Sequence, residues 1–267
     1  MSRSLITLTT DFGTGSPYVA QMKGVILGIN PEANIVDITH DVPPQDIAGG
    51  ALVLRDVFAA FAPGTIHVAV IDPGVGTARR LIHADVQGRS YLAPDNGLLT
   101  LLDKKGLRRV VELTDRQYWR PQVSATFHGR DVLAPVSAHL SMGIDPLLLG
   151  PPARDLVRFE QRIAISPGQV RGEIVSIDHF GNLITNINHT VLALAKIDPC
   201  HPSLRIHVGS IELPGIAKTY GEHSPETVIG LFGSGGYLEI AVVNGHAARQ
   251  LHARRGDAIE VVSDVIP

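Results

Sequence analysis

The sequence predicts an α/β N-terminal domain with a largely parallel central sheet, followed by a smaller C-terminal β-barrel-like domain. Three observations carry this expectation. Residues 5–143 alternate strand-like and helix-like patterns, as a layered α/β sheet requires. The texture changes near residue 151, where LLLGPPARDLVRFEQRIAISPGQV (147–170) holds a Pro pair and a Pro-Gly, as an interdomain linker does. Beyond it come short strand-like runs with little helical periodicity. The expected division is a domain over 1–150, a linker over 151–164 and a domain over 165–267.

The elements follow in order. LITLTTD (5–11) is β-branched and ends on an acid. PYVAQMKGVILGI (17–29) has helical spacing and starts at Pro17, which suits a first turn. ANIVDITHDV (33–42) is strand-like, and QDIAGGALVLRDVFAAF (45–61) reads as a helix with an apolar face despite Gly49–Gly50. TIHVAVID (65–72) is a buried strand. LIHADVQGRSYLAPDNGLL (81–99) reads as a hairpin around Gln87-Gly88 and then a short helix. VVEL (110–113) is another strand, and GRDVLAPVSAHLSMG (129–143) is a helix that starts just after Phe127-His128. In the second half GEIVSIDHFGNLITNI, SLRIHVGSIELP, TVIGLFGSGGYLEIAVV and DAIEVVS read as strands, with short helical pieces near 190–196 and 244–252.

A chain of 267 residues suits one large domain or two of ordinary size. A net charge of -3 gives no electrostatic argument for nucleic acid or an anionic membrane. The single cysteine, Cys200, excludes an intrachain disulfide and a Cys-rich metal site, and fits a reducing compartment. MSRSLITLTTDFG turns polar after a few apolar residues, without the marks of a signal peptide. No stretch approaches the roughly 18 apolar residues of a membrane span. The expectation is a soluble, cytoplasmic protein.

Ligands of open α/β sheets gather beyond the carboxyl ends of the strands. Asp11, Asp72 and His128 all fall at element ends. In VIDPGVGTARR (70–80) Asp72 closes an apolar strand and Pro73-Gly74 stops it. A buried carboxylate is costly unless paired, and Arg79 or Arg80 can return across the Gly-rich turn as its partner. Spacing leaves two readings, a loop-stiffening ion pair or part of a site. GVGT lacks the Lys-Ser/Thr of a phosphate loop. Asp11, in TTDFGTGSPY, is either a turn acid or a carboxylate that accepts hydrogen bonds from ligand hydroxyls, such as the two of a ribose. Turn chemistry accounts for Asp95-Asn96-Gly97.

His128 stands between Phe127 and Gly129 just before a helix, and an imidazole there suits proton transfer. Arg130-Asp131 reads equally well as helix-start electrostatics. No second His stands at ligand spacing, so no metal site is expected. In the second half, IDHFGNLITNI gathers Asp178, Phe180, Asn182 and Asn186. An aromatic beside an acid and amides suits a purine or an amino-acid head group, or else this is a polar hairpin with Phe180 in the core. Ser234 lies in a glycine-rich turn, open to close ligand approach or to a plain turn.

Taken together, TTDFGTGSPYVAQMKG, VIDPGVGTARR, APDNGLLT, TFHGRD, DHFGNLITNI and GSGGYLEIAV resemble, in order, the motifs of the S-adenosyl-L-methionine (SAM) hydroxide adenosyltransferase family. This is the SAM hydrolase or DUF62 group, related to the SAM-dependent fluorinase and chlorinase. The resemblance implies an α/β N-domain and a β-barrel C-domain. It implies a homotrimer with SAM between one subunit's N-domain and its neighbour's C-domain. It assigns an Asp-Arg-His triad to Asp72, Arg79 and His128, and a ribose-binding acid to Asp11. Asp178 and Asn182 match positions that hold the methionine part. Phe127 and Gly129 flank the triad His, and Phe180 and Ser234 lie near the adenine or methionine sites. The implied reaction is displacement of methionine by water or hydroxide at the ribose 5′ carbon, with SAM as substrate and no cofactor. A halogenase is the rival within the family; there a Tyr stands at the acid's position and the His position also differs. A protein that binds SAM or adenosine without turnover, and a metal-dependent hydrolase using Asp72, His128 and Asp131, are the readings outside it.

Overall fold

The computed structural model describes residues 5–264, apart from the side chain of Lys104. The chain divides into two units, one ending at Phe159 and the other beginning at Glu160.

In the first unit β1 (Leu5–Thr10) leads into α1 (Tyr18–Ile29), β2 (Asn34–Thr39) and α2 (Ile47–Val57). A 3-10 turn, Phe58–Ala60, prolongs α2, so the expected helix over 45–61 is real but changes pitch at its end. Then come β3 (Ile66–Val70), β4 (Leu81–Val86), β5 (Arg89–Pro94), a 3-10 stretch Thr100–Lys105 and β6 (Leu107–Glu112). The unit's last α-helix is α3 (Ala134–Ser141), entered through a π-helical turn, Gly129–Leu133. The π turn has a chemical cause. Pro135, in the first turn of α3, has no N–H to donate to the carbonyl of Asp131. That carbonyl instead accepts the N–H of Arg120 at 3.0 Å.

The sheet order is β2-β1-β3-β5-β4-β6. The pairs β1–β2, β1–β3 and β3–β5 are parallel, while β4 runs antiparallel to both β5 and β6. The sheet is therefore mostly parallel with an antiparallel margin. The β4–β5 hairpin turns at Gln87 and Gly88, with φ of 53° and 79°, the left-handed pair that matches the strand twist. All five residues of β3 are buried, as a central strand covered on both faces demands. Val68 and Val70 join one core with Met22, Ile26 and Val136, while Ala69 and Ile71 join another with Leu54, Tyr91 and Leu98. The two-residue strand period explains that division.

The second unit contains β7 (Ala164–Ser166), β8 (Gln169–Ile177), β9 (Leu183–Asn188), α4 (His189–Leu194), β10 (Arg205–Val208) and β11 (Ile211–Pro214). It ends with β12 (Val228–Phe232), β13 (Tyr237–Val242), α5 (Ala247–Gln250) and β14 (Ala258–Val262). Its strands pair antiparallel in the order β11-β10-β14-β8-β9-β13-β12, with β7 beside β8. Nine-residue β8 pairs with β14 along its first half and with β9 along its second, with an irregularity between Ile174 and Ser176. Such a break lets one strand turn a corner. An isolated parallel bridge, Ala217 to Leu231, ties β12 to the chain after β11, so the sheet is nearly barrel-shaped. Leu183, Ile187, Ile206, Leu238 and Ile259 form its core. Among the described residues no helix is long and apolar enough to cross a membrane.

Candidate active site

Strand β3 delivers Asp72. Ile71 is fully buried, and its carbonyl accepts the Asn96 Nδ2–H at 2.8 Å, which fixes the chain one residue ahead of the acid. The following turn closes through Val75 N–H to the Asp72 carbonyl (3.2 Å) and Thr77 N–H to the Gly74 carbonyl (3.1 Å). This folds Arg79 back onto Asp72. Its Nε donates to Oδ1 at 2.8 Å, and its Nη2 donates to Oδ2. The paired geometry is the two-point fork that suits a carboxylate. The side chains of Arg79 and Asp72 keep only 10% and 6% exposure, so neither charge is left buried alone.

Arg79 also reaches His128, with Nη2 3.0 Å from Nδ1. A guanidinium can only donate, so Nδ1 is the acceptor and the ring proton sits on Nε2. Burial pushes the His128 pKa below its ordinary value, and the Arg79 charge pushes it further; Asp72 and Asp131 oppose this. His128 therefore presents an N–H edge and no positive charge at neutral pH. Arg80, the other arginine that spacing allowed, is committed elsewhere. It donates from Nε to Asp95 at 2.9 Å and to the carbonyls of Arg154 and Asp155 at 3.0 and 3.1 Å.

These groups open on a cleft of about 270 Å³, whose walls include Asp11, Phe12, Asp72, Phe127, His128 and Gly129. The cleft lies at the carboxyl ends of β1 and β3, where the sheet rule places a ligand. Close backbone approach shapes it. A Cβ on Gly76, which has φ 81°, would lie 2.5 Å from the carbonyl oxygen of Ala125. A Cβ on Gly129 would lie 3.1 Å from Val70 Cγ1. Asp11 Oδ2 accepts the N–H of Gln45 at 2.8 Å, leaving its other oxygen free of that bond. Phe12, Tyr18 and Phe127 meet edge to face, with centroids 5.7, 5.5 and 5.2 Å apart. Gln45, Tyr18 and Asn96 were not legible as site residues. Tyr18 and Asn96 lie within the stretches TTDFGTGSPYVAQMKG and APDNGLLT, but a ring edge, an amide on the Ile71 carbonyl and, at Gln45, a backbone N–H are contributions that residue type does not reveal.

In the second unit Asp178 and Asn182 form one cluster. Asp178 Oδ1 accepts the N–H groups of Phe180 (2.9 Å) and Asn182 (2.8 Å), and Oδ2 accepts Asn182 Nδ2–H (2.9 Å). Phe180 is 71% exposed, so the reading that places it in the core fails. The reason is local: it sits at the tip of a turn whose next residue, Gly181, has φ 89°. Ser234 is exposed in the β12–β13 turn. Asn186 stands apart from them, joining the N–H of Glu173 (2.9 Å) to the carbonyl of Arg162 (2.9 Å). Among the described residues no three His, Cys, Asp or Glu side chains are grouped to hold a metal ion.

Comparison with known proteins defines the class. Residues 6–150 match the SAM hydroxide adenosyltransferase N-terminal domain, and residues 172–260 match the C-terminal domain. The chain belongs to the SAM hydroxide adenosyltransferase family. Among its relatives, the (R)-S-adenosyl-L-methionine hydrolase of Salinispora tropica is 35% identical, over 97% of each chain. The protein of the same name from Thermus thermophilus is 36% identical, over 95% of this chain and 97% of that one. A fluorinase from Nocardia brasiliensis is 30% identical over 97% of each. A crystal structure of an uncharacterized conserved protein from Thermotoga maritima superposes with a TM-score of 0.88 at 36% identity, covering 97% of this chain and all of that one.

Proposed function

We propose that this protein hydrolyses SAM to adenosine and L-methionine by in-line attack of water at the ribose 5′ carbon. The observation that carries the reading is the Asp72–Arg79–His128 array at the wall of a cleft that also holds Asp11. A C5′–O bond forms as the C5′–S bond breaks, and the electron pair of the broken bond leaves with sulfur. The sulfonium departs as a neutral thioether, so the leaving group needs no acid. What the protein must supply is a positioned water and a proton acceptor. His128 Nε2–H faces no competing acceptor in the array and is assigned to hold the water oxygen. Asp72 is assigned to accept the proton, since Arg79 occupies the only ring nitrogen of His128 that can act as a base. Asp11 is assigned to the ribose hydroxyls, with Phe127 and Gly129 shaping the wall beside C5′.

The amino-acid end of SAM is assigned to Asp178 and Asn182, with Phe180 and Ser234 beside the adenine or methionine part. On this reading a homotrimer forms, and a neighbouring copy brings those residues to the substrate. No cofactor and no metal takes part. A halogenase reading is disfavoured by Asp72, because a carboxylate in a confined cleft repels a halide.

The deciding experiment incubates the protein with SAM, with its R and S sulfonium forms tested separately, in H₂¹⁸O with and without chloride. Equal adenosine and methionine are expected, with the label in adenosine. Asp72→Ala and His128→Ala should each lower kcat by roughly a hundredfold or more while SAM binding changes little. Unlabelled adenosine, a 5′-halo product, or binding without turnover would overturn the reading.

A further inference from the structure

Asp131 is the most enclosed acid of the first unit, with no exposed surface at all, and the proposed chemistry does not use it. Its carboxylate accepts four side-chain bonds or backbone bonds of good length. Arg120 Nη1 donates to Oδ1 at 2.7 Å, Arg130 Nε to Oδ1 at 2.7 Å and Arg130 Nη2 to Oδ2 at 2.9 Å. The N–H of Ser124 donates to Oδ2 at 2.8 Å. Its backbone is tied as firmly: the carbonyl takes the Arg120 N–H that Pro135 cannot replace, and its own N–H donates to Phe127 at 3.1 Å. Every one of these bonds ends on the segment 120–131, which carries Phe127 and His128 to the cleft. Arg130 extends the clamp. Its guanidinium lies over the Phe127 ring at 4.9 Å and donates to Gln21 Oε1 of α1 at 2.8 Å.

We propose that Asp131 is a positioning residue, whose carboxylate draws Ser124, Arg120 and Arg130 together and so sets the backbone that places Phe127 and His128 against Asp72. The physical case is that an isolated buried carboxylate is expensive, and three donors from one short segment satisfy it only in one arrangement of that segment. A shift of about 1 Å in His128 is enough to lower turnover strongly. The charged groups acting on His128 are Arg79 and Asp72 from the turn after β3 and Asp131 from the π turn, while Arg130 is spent on Asp131, Gln21 and the Phe127 ring. Asp131 thus also acts on His128 through space, helping it to keep a proton.

This inference rests on the hydrolase reading, and its test separates the two. Wild-type protein, Asp131→Asn and Arg120→Met are compared for SAM turnover and, without substrate, for the NMR titration of His128. For Asp131→Asn, kcat is expected to fall about tenfold or more with KM within about threefold, and both the acid limb of kcat and the His128 titration should move to lower pH. Arg120→Met keeps the carboxylate and removes one anchor from a partly exposed side chain, so it tests the clamp even if the first variant does not fold. Its kcat should fall about threefold at unchanged KM. Wild-type protein that does not consume SAM sinks the hydrolase reading, whereas the His128 titration still tests the clamp. Active wild-type protein with kcat unchanged in Arg120→Met, or with an unmoved His128 titration in folded Asp131→Asn, overturns the role of Asp131.

Discussion

Gly76 has no functional group, yet it sits where the two walls of the cleft touch. Its φ of 81° and the 2.5 Å approach to the Ala125 carbonyl leave no room for a methyl group. Gly76→Ala should cost about 2 kcal/mol or more in stability, or push residues 124–128 outward and lower kcat with the fold intact. Urea unfolding together with turnover distinguishes these, and a variant unchanged in both would contradict the close approach. At this scale the sequence was informative wherever a residue's chemistry decides its place. Asp72 had to be paired because a strand-end carboxylate is buried, and it is. The choice between Arg79 and Arg80 was not legible from spacing. Both can span the turn, and the commitment of Arg80 to Asp95 and to two carbonyls near residue 155 depends on chain that is distant in sequence.

Strands β3 and β4 each bury a histidine outside the cleft. His67 has no exposure, stacks on Tyr91 at 4.6 Å and bonds to Thr7 at 2.8 Å. His83 is 1% exposed and bonds to Ser90 at 3.0 Å. Burial lowers both pKa values to about 4, helped at His67 by Arg89 and opposed at His83 by Asp85. Between pH 6.5 and pH 4 the unfolded chain binds these protons and the folded chain does not. Stability is therefore intact above pH 6.5 and falls as pH drops through that window, by on the order of 3 kcal/mol for each histidine at its lower end. Urea midpoints from pH 7 to 4.5 measure this, and a His67→Gln/His83→Gln double variant should flatten the curve between pH 6.5 and 5. A wild-type curve already flat there would contradict it. Element types were legible because β-branched runs, turn dipeptides and apolar stripes have periods of their own. The π turn before α3 was not, because it follows from a missing Pro135 N–H together with a donor at Arg120, fifteen residues away in the chain and invisible to any local pattern.

For the whole molecule, the α/β half and the antiparallel half were legible from the change in texture, since each half has to bury its own core. The antiparallel edge of the first sheet was less so. The hairpin around Gln87-Gly88 marks β4 as antiparallel to β5, but nothing in VVEL marks that β6 pairs antiparallel with β4. Assembly is the property least visible in one chain. The proposed homotrimer should give a light-scattering mass close to three chains of 28.6 kDa, and a monomer or dimer mass would remove it. The exposed ring of Phe180 supports the proposal, because an aromatic side chain at the tip of a turn gains most from being covered by another surface.

Gln45 carries a consequence of a different kind. It holds a left-handed backbone, φ 65°, in a residue with a full side chain, and its N–H is spent on Asp11. Such a backbone costs about 1 kcal/mol that a glycine would largely avoid. The chain forgoes that margin at the rim of its cleft and retains a side chain there that lines it. Resistance to heat and the shape of the cleft are therefore set against each other at this position, and a glycine selected there for thermal tolerance would take away a piece of the cleft wall.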